Sequence, residues 1–109
     1  MKKDLSIFID AHQDEIFALG DDLFTHPELG FKEVETGKII RAYLKKHHLE
    51  VDKEYALTGF SVTIGEGRPH IGVIAELDAI PTKGHPYADP VTTAAHACGH
   101  STQQAITLA

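Results

Sequence analysis

Little in this sequence suits cross-linking, membrane insertion or the holding of polyanions. A single cysteine, Cys98, rules out an internal disulfide and fits a reducing compartment. No stretch reaches the roughly 18 apolar residues that a membrane-spanning helix needs. The start, Met1-Lys2-Lys3, is basic like a secretion signal, but Asp10 and His12 break the following apolar run too early for one. These features lead us to expect a cytoplasmic protein without a membrane partner. Lys and Arg number 10 against 16 Asp and Glu, and the net charge of −6 argues against nucleic acid as a partner, because phosphate binding needs a basic face. Internal repeats and low-complexity tracts are also missing.

What is present is ordinary for a globular chain. With 109 residues, 42% apolar and 24% charged, there is room for one domain at most, and disordered or collagen-like classes drop out. Eight histidines is a high count, and some must be plain surface residues.

From Leu5 to Leu23 the apolar residues Leu5, Phe8, Ile9, Ile16, Leu19 and Leu23 recur at the period of one amphipathic helix. His12 shares that stripe and reads as a partly buried helix residue. The helix must stop near Thr25, since His26 precedes Pro27 and is pushed out of the α region. After a turn at 26–31, a second helix is predicted from about Glu33 to His47, with Thr36, Ile40, Tyr43, Leu44 and His47 on one face. Glu33 and Glu35 at its start and Lys45, Lys46, His47 and His48 at its end suit the helix dipole.

Strand patterns follow. Leu49-Glu50-Val51 reads as a short strand, and Phe60, Val62 and Ile64 alternate with Ser61 and Thr63 as a strand with one dry face does. The segment from His70 to Leu77 is nearly continuous in apolar residues, the pattern of a strand buried on both faces. The short link from Ile64 to Ile71 would make that pair antiparallel. Two helices followed by such strands predict an α/β layer structure with a mixed sheet. Residues 81–93 are rich in Pro, Gly and Thr and read as a loop of the kind that carries function. A further helix opens near Ser101, and the chain stops inside its apolar run, so we expect a fragment.

Two places carry chemistry. Glu76 and Asp78 end the apolar strand two residues apart, and an extended backbone points them the same way. Like charges so close need a cation or a donor between them. The plain alternative is that both simply end the strand in water. His96, Cys98 and His100 alternate, so an extended segment could aim all three at one point, with Gly99 permitting a close backbone approach. Imidazole and thiolate both bind zinc and related ions. A buried cysteine flanked by turn histidines is the plain alternative. A thiol hydrolase is the functional rival, with Cys98 at a helix start and His96 or His100 as base. A non-catalytic binding or structural module is the third reading.

Order and spacing make the set more specific than its parts. His26-Pro27-Glu28-Leu29-Gly30-Phe31 with Glu33, then Thr58-Gly59, then Glu76-Leu77-Asp78-Ala79-Ile80-Pro81, then His96-Ala97-Cys98-Gly99-His100 resemble the N-terminal part of the aminoacylase/carboxypeptidase metallohydrolase superfamily. The resemblance is to its amidohydrolase branch, which includes hydrolases of hippurate, indole-acetyl-amino acids and aminobenzoyl-glutamate, and it runs from about Leu19 to the end. It implies an α/β, zinc-exopeptidase-like (phosphorylase/hydrolase-like) catalytic domain with a mixed sheet, of which residues 1–109 are the N-terminal portion. It also implies that Cys98 and His100 are metal ligands and that Asp78 orients the site from behind them.

Glu76 stands where the wider superfamily often has a ligating His, and His96 matches the motif without a ligand role. Ser101 departs from the Asp or Asn common at that place, and the loop around His85-Pro86 and Ala88-Asp89-Pro90 is longer. By resemblance the intact enzyme holds two divalent ions (zinc, manganese, cobalt or nickel) about 3.5–4 Å apart. It would cleave an N-acyl amino acid or small peptide amide by metal-activated water. A Glu-Glu pair, two further His ligands and a small lid domain that can form a homodimer are expected outside these residues, so the fragment alone is expected to be inactive.

Overall fold

The computed structural model describes residues 2–109. Helix α1 spans Lys2–Ala11 and helix α2 spans Gln13–Thr25. The single helix predicted from Leu5 to Leu23 is therefore two. The break is His12, at φ −110° and ψ 9°. Its Nδ1 donates to the Phe8 carbonyl at 2.8 Å and its ring stacks on Phe8 at 4.1 Å, so the side chain competes for a helix carbonyl. The predicted end at Thr25 is where α2 ends, and His26 closes it by donating its N–H to the Leu23 carbonyl.

Helix α3, Val34–Lys46, matches the second predicted helix within a residue at each end. Its free N–H groups are capped from outside the helix. The Glu28 carboxylate accepts from the Glu35 N–H at 3.0 Å, the Thr36 N–H at 2.8 Å and the Thr36 hydroxyl at 2.9 Å. A carboxylate there satisfies orphan donors and meets the positive end of the helix dipole. At the other end, Glu15 of α2 bonds Lys46 at 2.7 Å and His47 at 2.9 Å.

The core lies between α2 and α3. Leu19, Leu23, Ile40 and Leu44 are buried, with Leu49, Val51, Phe60, Val62, Leu77 and Leu108 packed around them. Helix α4, His100–Leu108, crosses α2 at Gly20, where an added Cβ would already stand 3.6 Å from the Cβ of Ala105.

The strands are shorter than the pattern suggested. Strand β1, Lys53–Tyr55, pairs antiparallel with β2, Gly59–Ser61. Strand β3, Ile80–Pro81, pairs antiparallel with β4, Ala94–Ala95, closing the base of the 82–93 loop. A lone parallel bridge joins Leu29 to Ala79. The chain is thus α/β, but among the described residues its pairing is two small antiparallel sheets, not one mixed sheet.

Three strand expectations are corrected. Leu49–Val51 lies outside β1 and only packs on the core. The Phe60–Ile64 strand stops at Ser61, and Ile64 is 77% exposed. Residues 70–77 form no strand, and Ile71, Val73 and Ile74 are 87, 73 and 87% exposed. A strand buried on both faces needs hydrogen-bonded neighbours on its edges and layers over its faces. Among the described residues nothing pairs with this segment. An apolar groove lined by Phe60, Val62, Val73, Leu77 and Leu108 runs beside it.

Candidate functional site

The end of the 70–77 segment is better fixed than its middle, because α4 grips it. Gln103 accepts from the Glu76 N–H through Oε1 at 2.6 Å. The Gln104 amide, 1% exposed, donates to the carbonyls of Glu76 at 2.7 Å and Leu77 at 3.2 Å. On the other side the Ala79 N–H donates to the Glu28 carbonyl at 2.7 Å, next to the Leu29–Ala79 bridge. Two glutamines and the 27–31 turn therefore hold residues 76–79 in place.

Both carboxylates reach the same imidazole. His100 Nδ1 is 2.9 Å from the Asp78 carbonyl and 3.1 Å from Asp78 Oδ1, while Nε2 is 3.0 Å from Glu76 Oε2. The donor that two neighbouring carboxylates need between them is His100. A carbonyl can only accept, so Nδ1 carries a proton. Nε2 faces the Glu76 carboxylate. The His100 side chain is 19% exposed and Asp78 37%, so the pair sits at the surface end of the layer.

Cys98 lies on the turn before α4 and is exposed. Gly99 follows at φ 94° as the N-cap of α4, a conformation that side chains rarely adopt, so glycine lets the chain turn from Cys98 into the helix that carries His100. Of the three alternating residues, His100 alone has a hydrogen bond to the 76–78 carboxylates.

His96 behaves differently. It is 4% exposed, and neither ring nitrogen has a hydrogen-bond partner among the described residues. Burial, and then the nearby His100, hold its pKa below the usual histidine value, with Asp78 opposing. Ser101, which stands where Asp or Asn is common in the family it resembles, is 3% exposed. Among the described residues no three His, Cys, Asp or Glu side chains are grouped closely enough to hold a metal ion.

The 27–31 turn forms the far wall. An added Cβ on Gly30 would lie 3.9 Å from Asp78 Oδ2 and 4.0 Å from Glu33 Oε1. Glu33 is 7% exposed and accepts from the Thr58 hydroxyl at 2.7 Å, tying the β1–β2 turn to this one. Phe31, at φ 64°, is in the left-handed region, where a bulky side chain costs about 1–3 kcal/mol. In the 82–93 loop Asp89 accepts from the Thr92 N–H at 2.6 Å, its hydroxyl at 2.9 Å and the Val91 N–H at 3.0 Å, and these bonds hold its pKa below the usual carboxylate range. Tyr87 docks the loop edge-on against Phe24 of α2 at 5.3 Å.

Glu28, Glu33, Gln103 and Gln104 were missed as site-building residues. The first two lay inside the motif that carried the resemblance. For the glutamines, one turn of helix gave no signal of what it would touch.

Comparison with known proteins identifies the class. The chain is similar to one segment of several amidohydrolases. It is 40% identical to the N-acetylcysteine deacetylase of Bacillus subtilis over 96 residues, 83% of this chain and 25% of that protein. It is 33% identical to the hippurate hydrolase of Campylobacter jejuni over 93 residues, 81% of this chain and 24% of that protein. A crystal structure described as an aminohydrolase from methicillin-resistant Staphylococcus aureus superposes with a TM-score of 0.80 and 31% identity, covering 99% of this chain and 30% of that one. The chain thus spans about a quarter of the length of the curated relatives it matches. No family model matches it. No helix among the described residues is long and apolar enough to cross a membrane.

Proposed function

We propose that these residues are the N-terminal portion of the catalytic domain of a metal-dependent amidohydrolase that cleaves N-acyl amino acids or small peptide amides. The observation that carries this reading is the His100 imidazole held between Asp78 and Glu76. A carboxylate on Nδ1 fixes the tautomer and leaves Nε2, which stands beside Glu76, as the nitrogen that could bind an ion, the usual arrangement behind a metal-bound histidine. In this reading His100 Nε2 and Cys98 Sγ hold the ion, Asp78 orients the ring, and Glu76 keeps a negative charge beside Nε2. A divalent ion of the zinc, manganese, cobalt or nickel type would supply Lewis acidity toward an amide carbonyl and toward water.

The donor set fits such an ion in kind but falls short in number, because only two ligands come from these residues. The remaining ligands and the general base then belong to other parts of the whole protein, as does a lid domain able to form a homodimer. The relatives' names, deacetylases and hydrolases of N-acyl amino acids, support the substrate class. Their length supports the reading of residues 1–109 as a portion of the catalytic domain. A single cysteine supports a reducing, cytoplasmic setting.

The test is hydrolysis of N-acyl amino acids by the intact protein, before and after chelation. We expect chelation to abolish turnover and manganese or zinc to restore it. Cys98→Ala and His100→Ala should each lower the bound metal, read by elemental analysis independently of activity. Turnover indifferent to chelation, with Cys98→Ser inactive, would replace this reading with a thiol mechanism.

A further inference from the structure

We propose that Phe31 forms an apolar wall of the substrate site and lies against the acyl part of the substrate. This inference rests on the amidohydrolase reading above and adds a substrate contact to it.

Two observations about Phe31 conflict unless the ring has a job outside the fold. Its backbone is left-handed, at φ 64°, a conformation suited to Gly or Asn and unfavourable for a bulky residue. Its side chain is 67% exposed, so burial does not compensate for that strain. The turn does not depend on the ring for its shape. Lys32 donates its N–H to the Leu29 carbonyl at 3.0 Å, the Val34 N–H reaches the Lys32 carbonyl at 2.8 Å, and Glu33 is anchored to Thr58. Polar bonds on both sides thus impose the strained backbone, and the ring is left facing solvent.

Position supplies the rest. At Gly30, the residue before it, an added Cβ would lie 3.9 Å from Asp78 Oδ2, and Leu29 bridges to Ala79. The ring therefore stands on the turn that walls the His100–Asp78 cluster, where an amide substrate must arrive. Leu57 shares the conformation and the exposure, at φ 72° and 89%, but it sits in the β1–β2 turn, joined to this wall through the Thr58–Glu33 bond. Strained backbone held by its surroundings at the edge of a reactive cluster is the pattern of a functional position. An aromatic ring there offers a flat apolar face suited to an acyl chain or ring, while the charged amino-acid half has no complement in it.

The experiment is steady-state kinetics of the intact protein on N-benzoylglycine and N-acetylalanine, comparing wild type with Phe31→Ala and Phe31→Asn. Asn tolerates the left-handed backbone, so it removes the ring without adding strain. We expect both variants to raise KM for N-benzoylglycine about tenfold and that for N-acetylalanine less, in proportion to the apolar area covered. The kcat should stay within about twofold, since binding and not chemistry is lost. Thermal midpoints should hold or rise, most for Asn. Unchanged KM values overturn the Phe31 inference and leave the amidohydrolase reading intact. So does a fall in thermal midpoint at unchanged KM, which would mean the ring packs on another part of the protein. Absence of any hydrolysis by wild type overturns the amidohydrolase reading and this inference with it.

Discussion

Two apolar stretches of this chain had opposite fates. In α2 and α3, Leu19, Leu23, Ile40 and Leu44 are buried together, while Ile71, Val73 and Ile74 of the 70–77 segment lie open. Both stretches are hydrophobic, so hydrophobicity does not separate them. A helix closes its hydrogen bonds within itself and needs only one partner face. A strand needs neighbours along its edges before its side chains have a layer to enter. The 70–77 segment is held where side chains of α4 and the 27–31 turn supply hydrogen-bond partners at its end, and that is where the candidate site begins.

The contrast can be broken or sharpened by substitution. Leu23→Ala should cost most, about 2–5 kcal/mol by denaturant unfolding, since Leu23 is fully buried. Ile74→Ala in the same assay should stay within about 0.5 kcal/mol. A loss approaching that of Leu23 would mean that the segment is covered and erase the difference between the two regions. Gln104→Leu should cost about 1–3 kcal/mol for two abandoned carbonyls, toward the low end because its own Oε1 is buried without a partner. It should also raise hydrogen exchange at 76–79 more than in α3.

Glu28→Ala removes the cap of α3 and should cost about 0.5–2 kcal/mol. The smallest effect is a pH dependence at the α2–α3 junction. Hydrogen bonds from Lys46 and His47 hold the Glu15 carboxyl below the usual glutamate range. Its stabilising contribution is therefore present above the unfolded value, about pH 4.3, and is lost as pH falls through the lower folded value. Thermal midpoints of wild type and Glu15→Gln should differ at neutral pH and converge in acid. A gap that widens in acid would refute the assignment.

How much was legible follows the same division. The ends of α2 and α3 could be read because Pro27 and the charge pattern act within a turn of where they stand. The break at His12 could not, since it depends on a side chain preferring the Phe8 carbonyl to solvent. Asp78 and His100 were named from the motif, and the structure brings them together. The grip of Gln103 and Gln104 on Glu76 and Leu77 was invisible, because it joins residues about 27 positions apart.

By itself, then, the order of residues determined the ends of α2 and α3, the turn at Pro27 and the side chains able to carry chemistry. Each of those depends on steric and hydrogen-bonding preferences that act over a few residues. Tertiary structure alone decided which apolar run is covered, which carboxylate each nitrogen of His100 meets and which histidine is buried without a hydrogen-bond partner. These depend on groups distant in the chain meeting at contact distance, and no local preference encodes such a meeting.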